Sequence, residues 1–273
     1  IKAKIAGISL ASALLISCGE PTSHEANKAS MMFEQAVSSP TVPGISVALA
    51  GQEGIIWAAG FGYADLEHQV PMSTNTKMRI GSVAKPMAAA AMMRLVEQGK
   101  VDLDVPVRTY VPEWPEIHAD FTLRHIATHT SGIRHYEGDE FLINTKYDSQ
   151  VDALEVFKDS PLKFAPGEAF IYSTHAWTLL VAALEAADGR DFDHIMNDEV
   201  FSPLEMNNSA LDEQFKIIPN RQRPYEVGFD GALTNAPQTD HSWKWAGGGI
   251  IASPSDVARF AVAHTKDDFL DAE

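Results

Sequence analysis

Apolar residues occupy almost every position from 87 to 96, and this is the strongest pattern in the chain. A segment that is hydrophobic on every face is typical of a helix inside a protein core. We therefore predict a buried helix over residues 83–98, and Gly99, which follows, is a common helix end. Pro86 would stand in the first turn, where proline does little harm because the N–H group it lacks has no helical partner.

Two shorter segments nearer the start have the pattern of β-strands. Residues 44–50 place apolar side chains at every second position, and residues 54–61 form a second apolar segment. The turn Gly51-Gln52-Glu53-Gly54 joins them, so the sequence predicts a β-hairpin. Residues 77–80 are predicted to be a short extended segment that leads to the buried helix.

Other segments show the period or the boundary residues of helices. The segment 175–187 is the best defined, because Ser173 or Thr174 can cap its start and Gly189 can end it. A hairpin followed mostly by helices predicts the α+β fold class. We expect further strands to follow Glu273, since one hairpin cannot cover this much helix. The remaining predicted helices cover residues 31–37, 122–128, 151–158 and 254–264.

The composition is that of an ordinary globular protein with an excess of acidic residues. The chain has 273 residues, 45% of them hydrophobic, and 21 Lys and Arg residues stand against 37 Asp and Glu residues. The formal net charge of −16 repels a phosphate backbone, so we expect no nucleic-acid partner. Cys18 is the only cysteine, which excludes an internal disulfide bond.

The beginning of the chain is typical of a bacterial signal peptide. Two lysines precede an apolar segment over residues 5–16 that is too short to span a bilayer comfortably. We assign residues 1–18 to this signal, residues 19–30 to a polar tether, and residues 31–273 to one globular domain.

The residues around Cys18 resemble the lipobox of bacterial lipoproteins, with Leu15 three positions before the cysteine and Ser17 directly before it. The resemblance implies that Cys18 carries lipid and anchors the protein to a membrane. Gly19 follows in place of aspartate, which by analogy points to the outer membrane and the periplasmic face of a bacterial cell envelope. A plain secreted protein whose signal happens to contain a cysteine is the alternative that stays open.

Ser82-Val83-Ala84-Lys85 stands at the start of the predicted buried helix and carries the strongest chemical signal. Residues three apart are neighbours on a helix, so the Lys85 amine lies within reach of the Ser82 hydroxyl. A serine at a helix start also faces the positive end of the helix dipole. A buried amine loses its proton readily and can then accept one from serine. The tetrapeptide thus predicts a nucleophilic serine activated by lysine.

The same spacing arises by chance about once in a chain this long, and Ser160-Pro161-Leu162-Lys163 is a second copy. The second copy is followed by Phe164-Ala165-Pro166-Gly167, which stops any helix within a turn. No helix can then hold its serine and lysine on one buried face, so the context favours Ser82.

Tyr172 is a second candidate for the chemistry. Tyr172-Ser173-Thr174 follows a turn and opens a predicted helix. A tyrosine in this place can share the proton taken from Ser82, as a phenolate or through Lys85. A core tyrosine with its hydroxyl satisfied at the rim is equally consistent with the local sequence.

Together, the two motifs resemble motifs one and two of the serine beta-lactamase and penicillin-binding protein superfamily. The sequence is similar to the branch of class C beta-lactamases, D-alanyl-D-alanine carboxypeptidases and family VIII esterases, and most of all to mitochondrial serine beta-lactamase-like proteins. The likeness covers residues 43–260. Besides the two motifs, it includes Gly60-Phe61-Gly62-Tyr63-Ala64-Asp65, Val101-Asp102-Leu103-Asp104-Val105-Pro106-Val107, Tyr110-Val111-Pro112-Glu113, Ser131-Gly132-Ile133-Arg134-His135-Tyr136-Glu137 and Lys244-Trp245-Ala246-Gly247-Gly248-Gly249.

The resemblance implies a beta-lactamase/transpeptidase-like fold, in which an antiparallel sheet is flanked by helices and joined to an all-helical region. It implies that Ser82 is the acylated nucleophile, that Lys85 accepts its proton, and that Tyr172 is a general base that also serves deacylation. The backbone N–H of Ser82 would be one donor of the oxyanion hole. Thr174 would contact substrate where class C beta-lactamases have asparagine, which argues against efficient lactam hydrolysis.

The implied function is a serine hydrolase that acts through an acyl-enzyme on a peptide, ester or beta-lactam bond, without a cofactor. A non-hydrolytic binder or sensor of cell-wall peptides that uses the same pocket is the alternative.

The third motif of this superfamily, Lys-Thr-Gly or His-Thr-Gly, does not occur in the sequence. His129-Thr130-Ser131-Gly132 looks like it, but it lies between the first two motifs and matches a structural turn of the family. We expect the chain to end before the third motif and to lack the strands around it, as a fragment of a longer gene product would. The start at Ile1 in place of methionine agrees with this expectation.

Two weaker patterns predict no site. His125 and His129 are spaced as metal ligands on a helix can be, with His135 as a possible third, but no glutamate follows His125 as the zinc-protease motif requires. The glycines of residues 247–249 lack the following Lys-Ser or Lys-Thr of a phosphate-binding loop. We expect no metal, and a tight loop at the glycines.

Overall fold

The computed structural model describes residues 22–266 and 268–270. Cys18 and the predicted signal over residues 1–18 lie outside the described residues. The α-helices are α1 (Ser23–Val37), α2 (Ala84–Glu97), α3 (Leu123–Ala127), α4 (Gln150–Ala153), α5 (His175–Asp188), α6 (Phe192–Met196), α7 (Trp245–Gly248) and α8 (Pro254–Ala263). The strands are β1 (Gly44–Gly51), β2 (Gly54–Asp65), β3 (Val70–Pro71), β4 (Met78–Arg79), β5 (Ser209–Leu211), β6 (Tyr225–Val227), β7 (Leu233–Asn235) and β8 (Ile250–Ala252).

The predicted hairpin is confirmed as β1 and β2, which pair antiparallel along their length. β3 adds to the other edge of β2, so this sheet has the order β1-β2-β3. α1 and α8 pack against the hairpin. Phe33 of α1 stacks on Trp57 and Phe61 of β2, with ring centroids 6.2 and 5.5 Å apart. The helices thereby remove apolar side chains of the sheet from water.

α1 begins at Ser23, so the helix predicted over residues 31–37 is too short, and residues 23–30, which we assigned to a tether, are helical. The Thr22 side chain accepts a hydrogen bond from the backbone N–H of Glu25 at 3.3 Å. The Glu25 carboxylate in turn accepts one from the backbone N–H of Thr22 at 2.9 Å. This reciprocal capping box stabilises the first turn and starts the helix within a polar segment.

The core lies around α2 and α5. Every residue of α5 from His175 to Leu184 is buried, and α7 packs against both helices. The buried helix predicted over residues 83–98 is confirmed as α2, and the one over residues 175–187 as α5. Gly189 ends α5 in the left-handed conformation with φ of +83°, as its position predicts.

A second antiparallel sheet has the order β4-β8-β5 and leads directly to Ser82. Its central strand β8 is wholly buried. The backbone N–H of Ile80 donates to the carbonyl of Ile250 at 3.2 Å, two residues before Ser82. The sheet therefore fixes the point from which α2 starts. The pattern of the sequence did not predict this sheet, because strands of two or three residues are too short to show a period of two.

Three predicted elements differ from the structure in detail. The helix predicted over residues 122–128 is the shorter α3, and the one over residues 151–158 is α4 followed by a 3-10 turn over Leu154–Val156. The glycines of residues 247–249 belong to the helical turn α7 and its end, where we predicted a tight loop. Among the described residues, no helix is long and apolar enough to cross a membrane.

Candidate active site

Ser82 lies in a 3-10 turn over Gly81–Val83 that runs into α2. Its side chain borders a cavity of about 390 Å³, which Tyr172, Thr174 and Lys244 also line. The turn places the hydroxyl at the open end of the helix, while the next residues of α2 enter the core. The predicted nucleophile therefore faces a space that a substrate can enter.

Lys85 lies one helical turn further on and is buried. Its Nζ donates to Ser82 Oγ at 3.3 Å, to Thr174 Oγ1 at 3.2 Å and to the carbonyl of Gly247 at 2.6 Å. Burial lowers the pKa of Lys85, and the hydrogen bond and charge of Tyr172 oppose that shift. Three acceptors match the three N–H bonds of an ammonium group, so the amine has a fixed orientation beside Ser82.

Tyr172 makes the shorter contact with the nucleophile, since its Oη is 2.7 Å from Ser82 Oγ. Burial raises the pKa of Tyr172, but hydrogen bonds with Lys85 and Ser82 and the Lys85 charge outweigh it and hold the pKa below its ordinary value. Lys85 Nζ also lies 4.7 Å from the centre of the tyrosine ring. The hydroxyl therefore faces the nucleophile in the cavity, and Tyr172 is no ordinary core tyrosine.

Lys85 and Tyr172 form one proton-holding unit. Two ionisable groups this close titrate as a coupled pair, so a proton can be shared between them. The pKa of each lies below its ordinary value, which makes a deprotonated member easier to reach near neutral pH. The unit can take the proton of Ser82 and return it later.

Thr174, the predicted substrate-binding residue, is buried and directs its hydroxyl at Lys85. A Cβ atom on Gly247 would lie 2.3 Å from Cγ2 of Thr174. A larger residue at position 247 would therefore displace either Thr174 or the turn whose carbonyl reaches Lys85. The sequence resemblance included this glycine without giving it a role.

Ser173, between Tyr172 and Thr174, fixes the direction of their loop. Its Oγ accepts a hydrogen bond from the backbone N–H of Ala176 at 3.1 Å and donates to the carbonyl of Arg134 at 2.7 Å. Of the two capping residues that the sequence allows for α5, the structure uses Ser173, because Thr174 makes no capping bond.

Two histidines hold the same loop from its other side. His129 Nδ1 accepts a hydrogen bond from the backbone N–H of Ser173, and His135 Nδ1 accepts one from Thr174, both at 3.2 Å. Their ring centroids lie 4.6 and 5.3 Å from that of Tyr172. Burial, and then nearby positive charge, lower the pKa of both rings, that of His129 to about 4. Both rings are therefore neutral at pH 7, and each Nδ1 can accept.

The sequence did not predict this role of the two histidines in holding the loop, because their spacing indicates only a possible metal site. His125, the other candidate, instead lies with Nδ1 2.9 Å from Thr122 Oγ1 at the start of α3. The contacts of His129 and His135 join loops that are distant in the chain, and no local spacing indicates them. Within the described residues, no cluster of acidic, histidine or cysteine side chains could hold a metal ion.

A buried ionic network supports this loop from behind. Arg134 donates to both oxygens of Glu140 at 2.8 Å. His175, the first residue of α5, places Nε2 3.0 Å from the Glu140 carboxylate. Burial lowers the pKa of His175 to about 4, although the carboxylate raises it. The network ties the start of α5 to the segment that carries His135.

The second Ser-x-x-Lys sequence has no comparable arrangement. Ser160 Oγ accepts a hydrogen bond from Arg134 Nε at 2.8 Å. Lys163 Nζ instead pairs with Glu137 at 3.0 Å, and 44% of its side chain is exposed. No helix spans these residues, as the following proline predicts.

The geometry of Ser82, Lys85 and Tyr172 agrees with comparisons between this chain and known proteins. The family model described as Beta-lactamase matches residues 30–273. The chain belongs to the beta-lactamase family. The resemblance on which the sequence analysis relied is thereby confirmed.

Two curated relatives show how far this family membership extends along the chain. The mitochondrial serine beta-lactamase-like protein LACTB of Homo sapiens is 31% identical over 81% of this chain and 53% of the relative. Esterase EstB of Burkholderia gladioli is 30% identical over 88% of this chain and 71% of the esterase. The chain thus spans about half the length of its mitochondrial relatives.

Solved structures confirm the predicted α+β, beta-lactamase/transpeptidase-like fold. The D-amino acid amidase from Ochrobactrum anthropi SV3 superposes with a TM-score of 0.78 over 90% of this chain and 72% of the amidase, at 22% identity. The octameric penicillin-binding protein homologue from Pyrococcus abyssi superposes with a TM-score of 0.76 over 90% of this chain and 58% of its own, at 25% identity.

Proposed function

We propose that this chain is a serine hydrolase that acts through an acyl-enzyme on ester or peptide bonds. The observation that carries the proposal is the contact of Ser82 Oγ with both members of a proton-holding unit, Tyr172 Oη at 2.7 Å and Lys85 Nζ at 3.3 Å. A nucleophile and its base within hydrogen-bond reach, with the base oriented by a third group, is the signature of nucleophilic catalysis.

In the acylation step, Ser82 Oγ attacks the carbonyl carbon while its proton passes to the Tyr172 oxygen. The Lys85 ammonium stabilises the tyrosine as a proton acceptor by its charge and its hydrogen bond. The tetrahedral intermediate then collapses, the bond to the leaving group breaks, and the Tyr172–Lys85 unit gives the proton to that group. The product of this step is a Ser82 ester.

The oxyanion that forms during attack needs donors that are already in place. The backbone N–H of Ser82 belongs to the first turn before α2, where N–H groups have no helical partner and face the positive end of the helix dipole. This N–H is one donor in our proposal. Removal of a single such donor typically costs about 10² to 10³ in rate.

Deacylation reverses the roles, with water in place of the serine. Tyr172 takes a proton from water, and the hydroxide attacks the ester carbonyl. The bond between the carbonyl carbon and Ser82 Oγ then breaks, the acid product leaves, and the proton returns from Tyr172 to Ser82 Oγ. Because the cavity is open to solvent at Ser82, water can reach the ester.

For the substrate class, we propose esters and peptides rather than beta-lactams. Thr174 occupies the place that asparagine takes in class C beta-lactamases, and its hydroxyl is engaged with Lys85. The name of one relative points the same way, since Esterase EstB is an esterase.

A fluorescent fluorophosphonate tests the nucleophile directly. We expect it to label the wild-type protein and the Ser160→Ala variant, and to leave Ser82→Ala unlabelled. Labelling that survived in Ser82→Ala would refute the assignment. A p-nitrophenyl ester then separates a hydrolase from a sensor, because a sensor would release one burst of nitrophenol per protein and stop.

We also propose that Cys18 carries a lipid that holds the protein at the periplasmic face of a bacterial outer membrane. The support is the sequence alone: the short apolar segment over residues 5–16, Leu15 before the cysteine and Gly19 after it. An alkyne fatty acid should label the wild type in cells and should not label Cys18→Ser. An unlabelled wild type would leave only a secretory signal.

A further inference from the structure

Lys244 is a buried lysine in the same cavity as Ser82, and the proposed chemistry does not use it. It immediately precedes α7, and only 8% of the residue is exposed. Its Nζ donates to the carbonyl of Phe141 at a long 3.4 Å. Within the described residues, no carboxylate oxygen lies within 4.0 Å of Lys244 Nζ, so the ammonium has no ion pair. A buried ammonium is normally paired, because burial without a partner is costly.

Two aromatic rings lie beside this ammonium and attract its charge without neutralising it. Nζ lies 5.0 Å from the ring centre of Trp243 and 5.8 Å from that of Tyr136. The faces of such rings attract a cation, but they carry no net charge. The positive charge therefore remains available to a group that enters the cavity.

The charged neighbours do not offer Lys244 a partner. Asp212 is buried between Arg79 Nε at 2.7 Å and Arg221 at 3.3 Å. Glu226 lines the cavity but is exposed to water. Arg79 and Lys85 add positive charge on the same side of the site.

We propose that Lys244 is the anion-recognition residue of this cavity and binds a carboxylate carried by the substrate. The inference rests on the proposed hydrolase function, and it narrows the substrate class to acidic esters or peptides. A substrate carboxylate would be the anionic partner that Lys244 does not find within the protein. Hydrogen bonds to charged groups are among the stronger ones in proteins. Arg79 borders the same cavity and adds to the positive potential there.

Burial, and then the charge of Arg79, lower the pKa of Lys244 to about 8. The ammonium is therefore the main form at pH 7 and is lost as the pH rises through 8. A bound carboxylate raises this pKa. Asp212 also raises it, while Lys85 lowers it. Preference for an acidic substrate should fall above pH 8, whereas the rates on a neutral substrate follow only the groups around Ser82.

Three esters of one skeleton test the proposal: p-nitrophenyl hexanoate, the mono-p-nitrophenyl ester of adipic acid, and 4-carboxyphenyl hexanoate. The second carries a carboxylate on the acyl part and the third on the leaving group. For each ester, kcat/KM of the wild type is divided by that of Lys244→Met, which removes the charge and keeps the length of the side chain.

We expect this ratio to be close to 1 for the neutral ester and about 10 or more for one of the acidic esters. A tenfold change is the effect on kcat/KM expected from losing a hydrogen bond to a charged group. The ratio for that ester should decline above pH 8. Lys216→Met, at an exposed lysine outside this cavity, should give ratios near 1 for all three. Equal ratios for all esters in Lys244→Met would overturn the proposal.

Calorimetry separates this proposal from the hydrolase itself. Monomethyl adipate carries its carboxylate on the acyl part, and 4-carboxyphenyl hexanoate carries it on the leaving group. At least one of these esters should bind to Ser82→Ala, which cannot turn it over, and should bind at least tenfold more weakly to Ser82→Ala with Lys244→Met. Circular dichroism checks that both variants are folded. If both esters bind equally well to Ser82→Ala and to the double variant, the anion site is refuted, even if no ester is hydrolysed. Ester hydrolysis that Ser82→Ala does not reduce refutes the hydrolase alone.

Discussion

At the residue scale, the different roles that we propose for Tyr172 and Lys85 follow from their unequal distances to Ser82 Oγ. Tyr172 Oη is closer to the nucleophile than Lys85 Nζ is, and Lys85 has two further acceptors that hold it in place. In the mechanism that we propose, the tyrosine is therefore the immediate proton acceptor, and the lysine sets its charge state.

Tyr172→Phe removes that acceptor and keeps the ring that His129 and His135 contact. We expect kcat for a p-nitrophenyl ester to fall by about 10² to 10⁴, the range for a lost general base, with little change in Tm. Tyr110→Phe is the control, because the Tyr110 hydroxyl bonds Asp102 outside the site. A Tyr172→Phe variant with wild-type kcat would show that Lys85 alone takes the proton.

His135 offers a test of positioning, since its Nδ1 must be unprotonated to accept from Thr174. Asparagine can place a carbonyl oxygen near that Nδ1 and does not titrate, whereas leucine offers no acceptor. We expect His135→Leu to lower kcat by about 10², the effect of a displacement of about 1 Å, and His135→Asn to retain most of it.

The dependence of activity on pH gives a second test, because a purely packing role of His135 would not change it. Burial, and then the charge of Lys85, lower the pKa of His135, so its Nδ1 is free to accept at pH 7, and protonation in acid removes the hydrogen bond. His135→Asn should keep more of its relative activity at low pH than the wild type does. Identical profiles and equal kcat for the asparagine and leucine variants would contradict the positioning role.

At the scale of elements, α7 matters because it delivers a carbonyl to Lys85. Gly247→Ala would place Cβ 2.3 Å from Thr174 Cγ2, so the turn or the threonine must shift. Gly248→Ala is a matched control, since its Cβ would meet its nearest neighbour at an ordinary 3.6 Å. We expect Gly247→Ala to lower kcat/KM at least tenfold and Gly248→Ala to change it much less, as measured by ester hydrolysis. Similar losses in both would argue against a special role for the carbonyl of residue 247.

Long elements with a continuous pattern could be predicted from the sequence, and short ones could not. α2, α5 and the β1–β2 hairpin repeat their pattern often enough to be visible. The start of α1 is harder to predict, because residues 23–30 are polar and only the Thr22–Glu25 capping box marks where the helix begins.

The residues of the candidate site also differ in whether the sequence could predict them. Ser82 and Lys85 share one helix, so their contact follows from spacing, and Tyr172 was found through resemblance. Gly247, His129 and His135 reach the site through tertiary contacts that no local pattern encodes.

At the scale of the whole molecule, buried neutral histidines make the fold sensitive to acid. His175 is fully buried, and its pKa falls from an ordinary 6.5 to about 4. Between these pH values the unfolded chain binds more protons than the folded one, so the free energy of unfolding decreases as the pH falls.

For His175 alone, we expect a loss of about 2 kcal/mol between pH 7 and pH 5, or roughly 4–8 °C in Tm. Thermal unfolding at the two pH values measures it. His175→Gln keeps an amide near Glu140 but does not titrate, so its Tm should change less over the same interval. A variant whose Tm falls as much as that of the wild type would assign the acid sensitivity to other groups.

The bond from Lys85 to the carbonyl of Gly247 joins residues 162 positions apart, and this separation orders events during synthesis. Contacts between distant parts of a chain form late and slowly. A nascent chain translated at about 5–20 residues per second exposes Ser82 on the order of 10 s before residue 247 is made. Throughout that interval the serine lacks its fully oriented lysine, so the proposed site is incomplete until the C-terminal part of the chain has been made and has folded.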